Sequence, residues 1–287
     1  MKGLDYWIVK DQKSRRVQCL LCPHVCVISP GETGCCRVRS NEDGKLYVEN
    51  YGLVTACAID PLEKKPFKRF YPGKNVLSLG TFGCNLACSF CQNWRISQGE
   101  TPPSRYLSPE EAVEKALKYV PAGNIGIAYT YSEPLMWYDY VLDTAKLVKK
   151  AGLKNILVTN GYINPQPLTG LLPYLDAVNL DVKAFTNQFY QKVCRGTLQP
   201  VLRSAQAFAK HCHLEITTLV IPALNDSPDE IRELSQWIKG IDPNIPLHIN
   251  RYFPNYHMSL APTPVQTMER LKAVAQEALP YVFLGNV

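Results

Sequence analysis

A chain of 287 residues that is 46% hydrophobic can bury one sizeable core, which excludes a disordered class. No stretch approaches the roughly 18 continuous apolar residues that a membrane span needs, and the first twenty residues carry no signal-peptide pattern, so a cytoplasmic protein is expected. Against 25 acidic residues, 31 basic ones leave a net charge of +6; with one local basic run at Lys64–Lys65 and Lys68–Arg69, this argues against nucleic acid and for a solvated strip.

Residues 1–74 show no strand–helix alternation and read as a cysteine-rich extension packed on the remainder, 75–287. Eleven cysteines, an odd number at short spacings without a secretion signal, point to metal ligation in a reducing compartment. Cys19, Cys22, Cys26 and Cys36 form C-x2-C-x3-C-x9-C, with His24 inside the run and Cys35 beside its end. Four soft ligands suit zinc or an auxiliary iron–sulfur cluster; reduced packed thiols and a redox-active pair are the competing readings. A hairpin is predicted around Asn41–Lys45, followed by CAIDPLEKKPFKRFYPG.

From residue 75, β-branched or apolar runs alternate with amphipathic stretches. The runs cover 75–83, 124–130, 155–160, 177–182, 213–221 and 246–252. Ser108-Pro109, Ser227-Pro228 and Thr263-Pro264 each mark a helix start, with a capping hydroxyl, proline in the first turn and an acid or amide three residues after the cap. Six such alternations predict parallel strands wrapped by helices, as an open doubly wound sheet or a full or partial β/α barrel. In either, ligands sit at the carboxyl ends of the strands, where this chain places Cys84, Tyr131-Ser132-Glu133, Thr159-Asn160-Gly161, Asp181, Lys183 and Arg251. Glu215 and Thr217 alternate inward on the fifth run, at a height expected for a ribose. His248 and Arg251 are separated by an odd interval and cannot both face inward; Arg251 is the favoured one.

GCNLACSFCQNW (83–94) places Cys84, Cys88 and Cys91 at C-x3-C-x2-C spacing, one ligand short of a complete thiolate set. Three thiolates on a [4Fe–4S] cube leave one iron free for another molecule. With Phe90 before the last cysteine, this stretch resembles the signature of radical S-adenosylmethionine (SAM) enzymes. The resemblance implies a partial (β/α)6-type TIM barrel, SAM bound to the open iron, and reductive cleavage to methionine and a 5′-deoxyadenosyl radical that abstracts hydrogen from a substrate. Glu133 stands where that family's Gly-Gly-Glu motif ends, with Tyr131 and Ser132 in place of both glycines. TNG and LDVK (Leu180 to Lys183) are similar to stretches of pyruvate formate-lyase activating enzymes. CAIDPLEKKPFKRFYPG, TTLVIPALNDS, the His248–Arg251 stretch and Phe253-Pro254-Asn255-Tyr256 resemble the radical enzyme of the AmmeMemoRadiSam group.

The implied contacts to SAM are Phe90, Ser132, Glu133, Thr159, Asn160, Asp181, Lys183, Glu215, Thr217 and Arg251. The implied partners are a small-molecule or protein substrate and a low-potential electron donor such as flavodoxin or ferredoxin. A glycyl-radical-enzyme activase is the competing enzyme reading. A zinc-stabilised binding module explains the cysteines but not the acids and amides at successive strand ends.

Overall fold

Apolar residues fill both parities of the strand-forming runs and give one extended sheet two faces to bury. A computed structural model describes residues 2–3 and 5–287, with side chains from residue 5 onward. Eight strands lie side by side in chain order: Ala56–Pro61 (β1), Asn75–Gly80 (β2), Asn124–Thr130 (β3), Lys154–Thr159 (β4), Ala177–Asp181 (β5), His213–Val220 (β6), Leu247–Arg251 (β7) and Val282–Gly285 (β8). β1 runs antiparallel to β2, and every later neighbour is parallel. The edges β1 and β8 do not pair with each other, so the sheet stays open. The six predicted strands are present; β8 adds a parallel edge, and β1 is recruited from the segment assigned to the extension.

Six longer helices, Pro109–Lys118 (α1), Tyr138–Lys150 (α2), Pro165–Leu171 (α3), Leu198–His211 (α4), Pro228–Ile241 (α5) and Val265–Gln276 (α6), form the crossovers. Ser108 and Glu111 close a reciprocal capping box on α1, and Ser227 accepts the Asp229 N–H at the start of α5. α6 departs from expectation. It begins at Val265, and the Thr263 hydroxyl donates to the Val220 carbonyl (2.6 Å) instead of capping the helix.

Side-chain parity separates two cores. Leu77, Ile127, Leu157, Val178, Ile216 and Ile249 join the core built with the helices. Val76, Ala128, Ile156 and Ala177 face the other way, onto Leu62, Phe67 and Phe70. The segment after β1 is therefore a plug, packed near the amino ends of β2 and β5. Asn179 Nδ2 donates to the Pro66 carbonyl (2.9 Å), and the Lys68 and Arg69 N–H groups donate to the Glu215 carboxylate. His213 and His248 approach the same carboxylate at 3.0 and 2.6 Å.

The extension folds as short antiparallel pieces. Arg39–Glu42 pairs with Lys45–Val48 as the expected hairpin, with Asp43 (φ 53°) and Gly44 (φ 86°) in its turn. Its contacts with the rest of the chain are specific. Asn164 Nδ2 reaches the Leu20 and Cys22 carbonyls, Trp137 Nε1 donates to the Asn50 carbonyl, and Arg39 pairs with Asp139 at 2.6 Å. Val17, Leu21, Ile28 and Val38 belong to the helix-side core.

Two stability measurements test the plug. Phe67 is fully buried, so Phe67→Ala is expected to cost about 3–5 kcal/mol in urea unfolding, with an unchanged slope. Burial opposes the Glu215 charge, but the two histidines and two backbone N–H groups outweigh it and hold the carboxyl at about 2. Its stabilisation is complete above the ordinary 4.5 and is lost as pH falls towards 2. Glu215→Gln should therefore unfold at lower temperature than wild type at pH 7, with the gap narrowing between those limits.

Candidate functional site

At the carboxyl end of β2 the chain enters the cysteine loop through Gly83, whose φ is 87°. A Cβ there would lie 2.5 Å from Val38 Cγ1 and 2.8 Å from the Cys36 carbonyl oxygen, so glycine allows the extension to touch the loop. Cys84, Cys88 and Cys91 follow. The Ala87 and Ser89 N–H groups donate to the Cys194 and Val193 carbonyls, and the His257 N–H donates to the Ser89 carbonyl. Cys91 Sγ lies 3.3 Å from Ser97 Oγ. All three thiols are pushed above the ordinary value: Cys84 and Cys91 chiefly by burial, Cys88 first by its contact with the buried Cys194 thiol and then by burial. Raised in this way, they are protonated at neutral pH.

Glu133 follows β3 and is buried. Its Oε1 accepts the Thr159 hydroxyl at 2.5 Å and the Leu135 N–H at 3.0 Å, and its Oε2 accepts the Asn160 N–H at 2.8 Å. Burial raises the carboxyl to about 7 in spite of these donors. Asn160 Nδ2 turns the other way, to Asn85 Oδ1 (3.0 Å) and Cys84 Sγ (3.7 Å). The ends of β3 and β4 are thereby tied to the first cysteine.

Tyr131 occupies a position where the resembling motif has glycine, and it retains glycine-like backbone, with φ 75°. Its hydroxyl donates to Asp60 (2.8 Å), Lys65 Nζ lies over its ring, and its carbonyl accepts from Asn93 Nδ2 (2.7 Å). The neighbouring Ser132 Oγ is buried and has no hydrogen-bond partner among the described residues.

The remaining predicted residues divide. Asp181 and Lys183 pair at 2.7 Å at the end of β5. Burial works against the Lys183 charge, but Asp181 keeps its ammonium above the ordinary range. Phe90 is buried 6.1 Å from the Phe189 ring. Thr217 faces inward as expected and donates to Asn179 Oδ1 (2.9 Å). Glu215 also faces inward, but its carboxylate is committed to the plug rather than to the mouth of the sheet. Between His248 and Arg251, it is His248 that faces inward, onto Glu215; Arg251 donates from Nε to the Thr263 carbonyl (2.7 Å) and lies over Phe253. The strand parity that allowed only one inward residue holds, with the choice reversed.

Sequence reasoning did not single out Asn85, Ser97 or Cys194. Asn85 was detectable as the neighbour of Cys84. Ser97 lies only six residues beyond Cys91, on the turn that follows the loop, whereas Cys194 reaches it only through tertiary packing. Soft thiols in a buried loop, an orphaned hydroxyl at Ser132 and a carboxylate beside Cys84 suit an iron–sulfur cluster with a polar organic ligand.

Residues 78–238 match the model of the Radical SAM superfamily. Over 278 residues the chain is 41% identical to an uncharacterized protein of Methanocaldococcus jannaschii, covering 95% of this chain and 82% of the relative. It is 28% identical to the pyruvate formate-lyase-activating enzyme of Clostridium pasteurianum, covering 55% of this chain and 67% of that enzyme. Among solved structures, a radical SAM methyltransferase from Sphaerobacter thermophilus superposes with TM-score 0.58 at 15% identity, covering 75% of this chain and 67% of the other. Streptococcus suis SuiB bound to S-adenosylmethionine gives 0.56 at 15% identity, covering 78% and 52%.

The Glu133 carboxyl is directly measurable. Carbon-13 spectra of Glu-labelled, ligand-free protein should show one carboxyl titrating near 7 that is missing from Glu133→Gln. Because the folded value lies above the ordinary 4.5, the stabilisation this group contributes is complete below 4.5 and is lost as pH rises through about 7. A carboxyl titrating at the ordinary value would show that the buried environment is wrong.

Proposed function

The chain belongs to the radical SAM superfamily, and from that premise we propose an enzyme that cleaves S-adenosylmethionine at a [4Fe–4S] cluster held by Cys84, Cys88 and Cys91. The observation that carries this reading is the convergence of Glu133, Asn160 and the unpartnered Ser132 hydroxyl beside the cysteine loop, at the carboxyl edge of a parallel sheet. When bound, the reduced cluster supplies one electron to the sulfonium, and the products are methionine and a 5′-deoxyadenosyl radical that takes a hydrogen atom from the substrate.

The protein's own part is binding and orientation. Among the described residues Glu133 Oε2 accepts only the Asn160 N–H, which leaves acceptor capacity for a ligand ammonium. That ammonium must meet the ionised carboxylate, so binding draws the Glu133 proton off. Ser132 Oγ gains the partner it lacks. Lys183, adjacent in charge to Cys88 and Cys91, offsets negative charge gathered on the thiolates. Asp181 holds the lysine in place, and Thr159 holds Glu133. Phe90 completes the proposed contact set at the rim.

The substrate in this reading is a small molecule or a protein, and the electron comes from a low-potential carrier such as flavodoxin or ferredoxin. Similarity to the Clostridium pasteurianum activating enzyme favours a second reading, in which the substrate is the backbone of a partner protein. A radical signal appearing on an added partner would select it.

Anaerobic reconstitution, dithionite reduction and electron paramagnetic resonance with and without S-adenosylmethionine test the proposal. The expected result is a [4Fe–4S]⁺ signal that changes on adding the ligand, with 5′-deoxyadenosine formed; zinc without iron would overturn it. Glu133→Ala should leave iron content unchanged while ligand affinity falls at least about tenfold, the loss of a charge-assisted hydrogen bond of about 1.5–3 kcal/mol. Wild-type affinity should also weaken below about pH 7, and the ratio of wild-type to Glu133→Gln affinity should fall with it.

A further inference from the structure

The five cysteines of the extension face one small void. Cys19, Cys22, Cys26, Cys35 and Cys36 line it together with Arg39. Cys19, Cys22 and Cys36 are buried, Cys26 is half-buried and Cys35 is exposed. Cys26 and Cys35 touch at 3.6 Å between sulfurs, a thiol contact rather than a bond.

Arg39 separates the readings. It is 1% exposed, and its Nη2 donates to Asp139 at 2.6 Å. Its Nε and Nη1 have no hydrogen-bond partner among the described residues. A fully buried guanidinium with two unpaired N–H groups is costly unless an acceptor joins it. Thiols packed only as small apolar fillers leave that cost standing. Thiolates and inorganic sulfide are acceptors, and this void is where they would gather. Zinc on four thiolates brings no inorganic sulfide, so a cluster offers the two free N–H groups more acceptors than a single ion does. A polynuclear cluster asks each thiolate for one bond to a different iron.

We propose that Cys19, Cys22, Cys26 and Cys36 hold a second iron–sulfur cluster, with Arg39 donating hydrogen bonds to its sulfur atoms. Ligation replaces four S–H bonds by four S–Fe bonds and releases the protons to solvent, without a change in oxidation state. With four protein ligands, this cluster has no open iron and does not bind S-adenosylmethionine. It adjoins the catalytic loop. Cys36 lies against Gly83, and His24 Nε2 is 2.7 Å from the Asn85 carbonyl oxygen, so residues 83–85 touch both sites.

Iron counting after anaerobic reconstitution tests the site without relying on activity. Wild type should hold about eight irons per chain, and the Cys84→Ala/Cys88→Ala/Cys91→Ala variant about four. That variant should give a reduced-cluster resonance that does not respond to S-adenosylmethionine. Cys19→Ser/Cys36→Ser should also hold about four irons, with a resonance that does respond. A folded triple variant without iron, or one carrying zinc instead, overturns the proposal. Should the variants fail to fold, wild type decides alone: about four irons with a resonance that responds to S-adenosylmethionine overturns it, and about eight upholds it. Iron retained in the triple variant, with no response to S-adenosylmethionine in wild type, would sink the catalytic reading and leave this one standing.

Discussion

The site depends on one buried carboxylate. Glu133 accepts the Thr159 hydroxyl and the N–H groups of Asn160 and Leu135, which joins the end of one strand to the end of the next and to the turn that follows its own. Through Asn160 the same network reaches Cys84 and Asn85. A carboxylate lifted to about 7 by burial is held by polar donors yet still short of charge compensation. A cationic ligand supplies that compensation, and the structural linchpin is thereby also the proposed recognition group.

The rest of the fold keeps the carboxyl edge available for this network. The helices cover one face of the sheet. Phe67 and Phe70 fill the other near the strands' amino ends, and Glu215, Asn179 and Thr217 are occupied in holding that plug and its surroundings. An inward-facing acid is therefore no guide to ligand contact unless its height is known. Glu215 and Glu133 are both buried glutamates on this sheet, and their carboxyls move in opposite directions because one has two histidines beside it and the other does not.

Tyr131 shows how a local departure can preserve backbone shape. The left-handed conformation costs a non-glycine residue about 1–2 kcal/mol. The phenol offsets this through Asp60, at the end of β1, and Lys65, within the plug segment. At this position a tyrosine keeps a positive φ, open to glycine at no cost, and adds a tether from the site to the plug.

Sequence alone determined what local chemistry can encode: the alternation of strands and helices, the caps of α1 and α5, the hairpin turn at Asp43-Gly44, the cysteine loop, and the placing of Glu133, Thr159, Asn160, Asp181 and Lys183 at strand ends. Each of these is a matter of spacing along one segment. Tertiary structure decided which partners those residues meet. Glu215 belongs to the plug because Lys68 and Arg69 come to it from far away in the chain. His248, not Arg251, faces inward because strand register, set by neighbours, fixes parity. Thr263 binds a distant carbonyl instead of capping its helix. Cys194 reaches the cysteine loop, and Asp139 reaches Arg39, only when separate segments are packed together, and no periodicity within a segment carries that information.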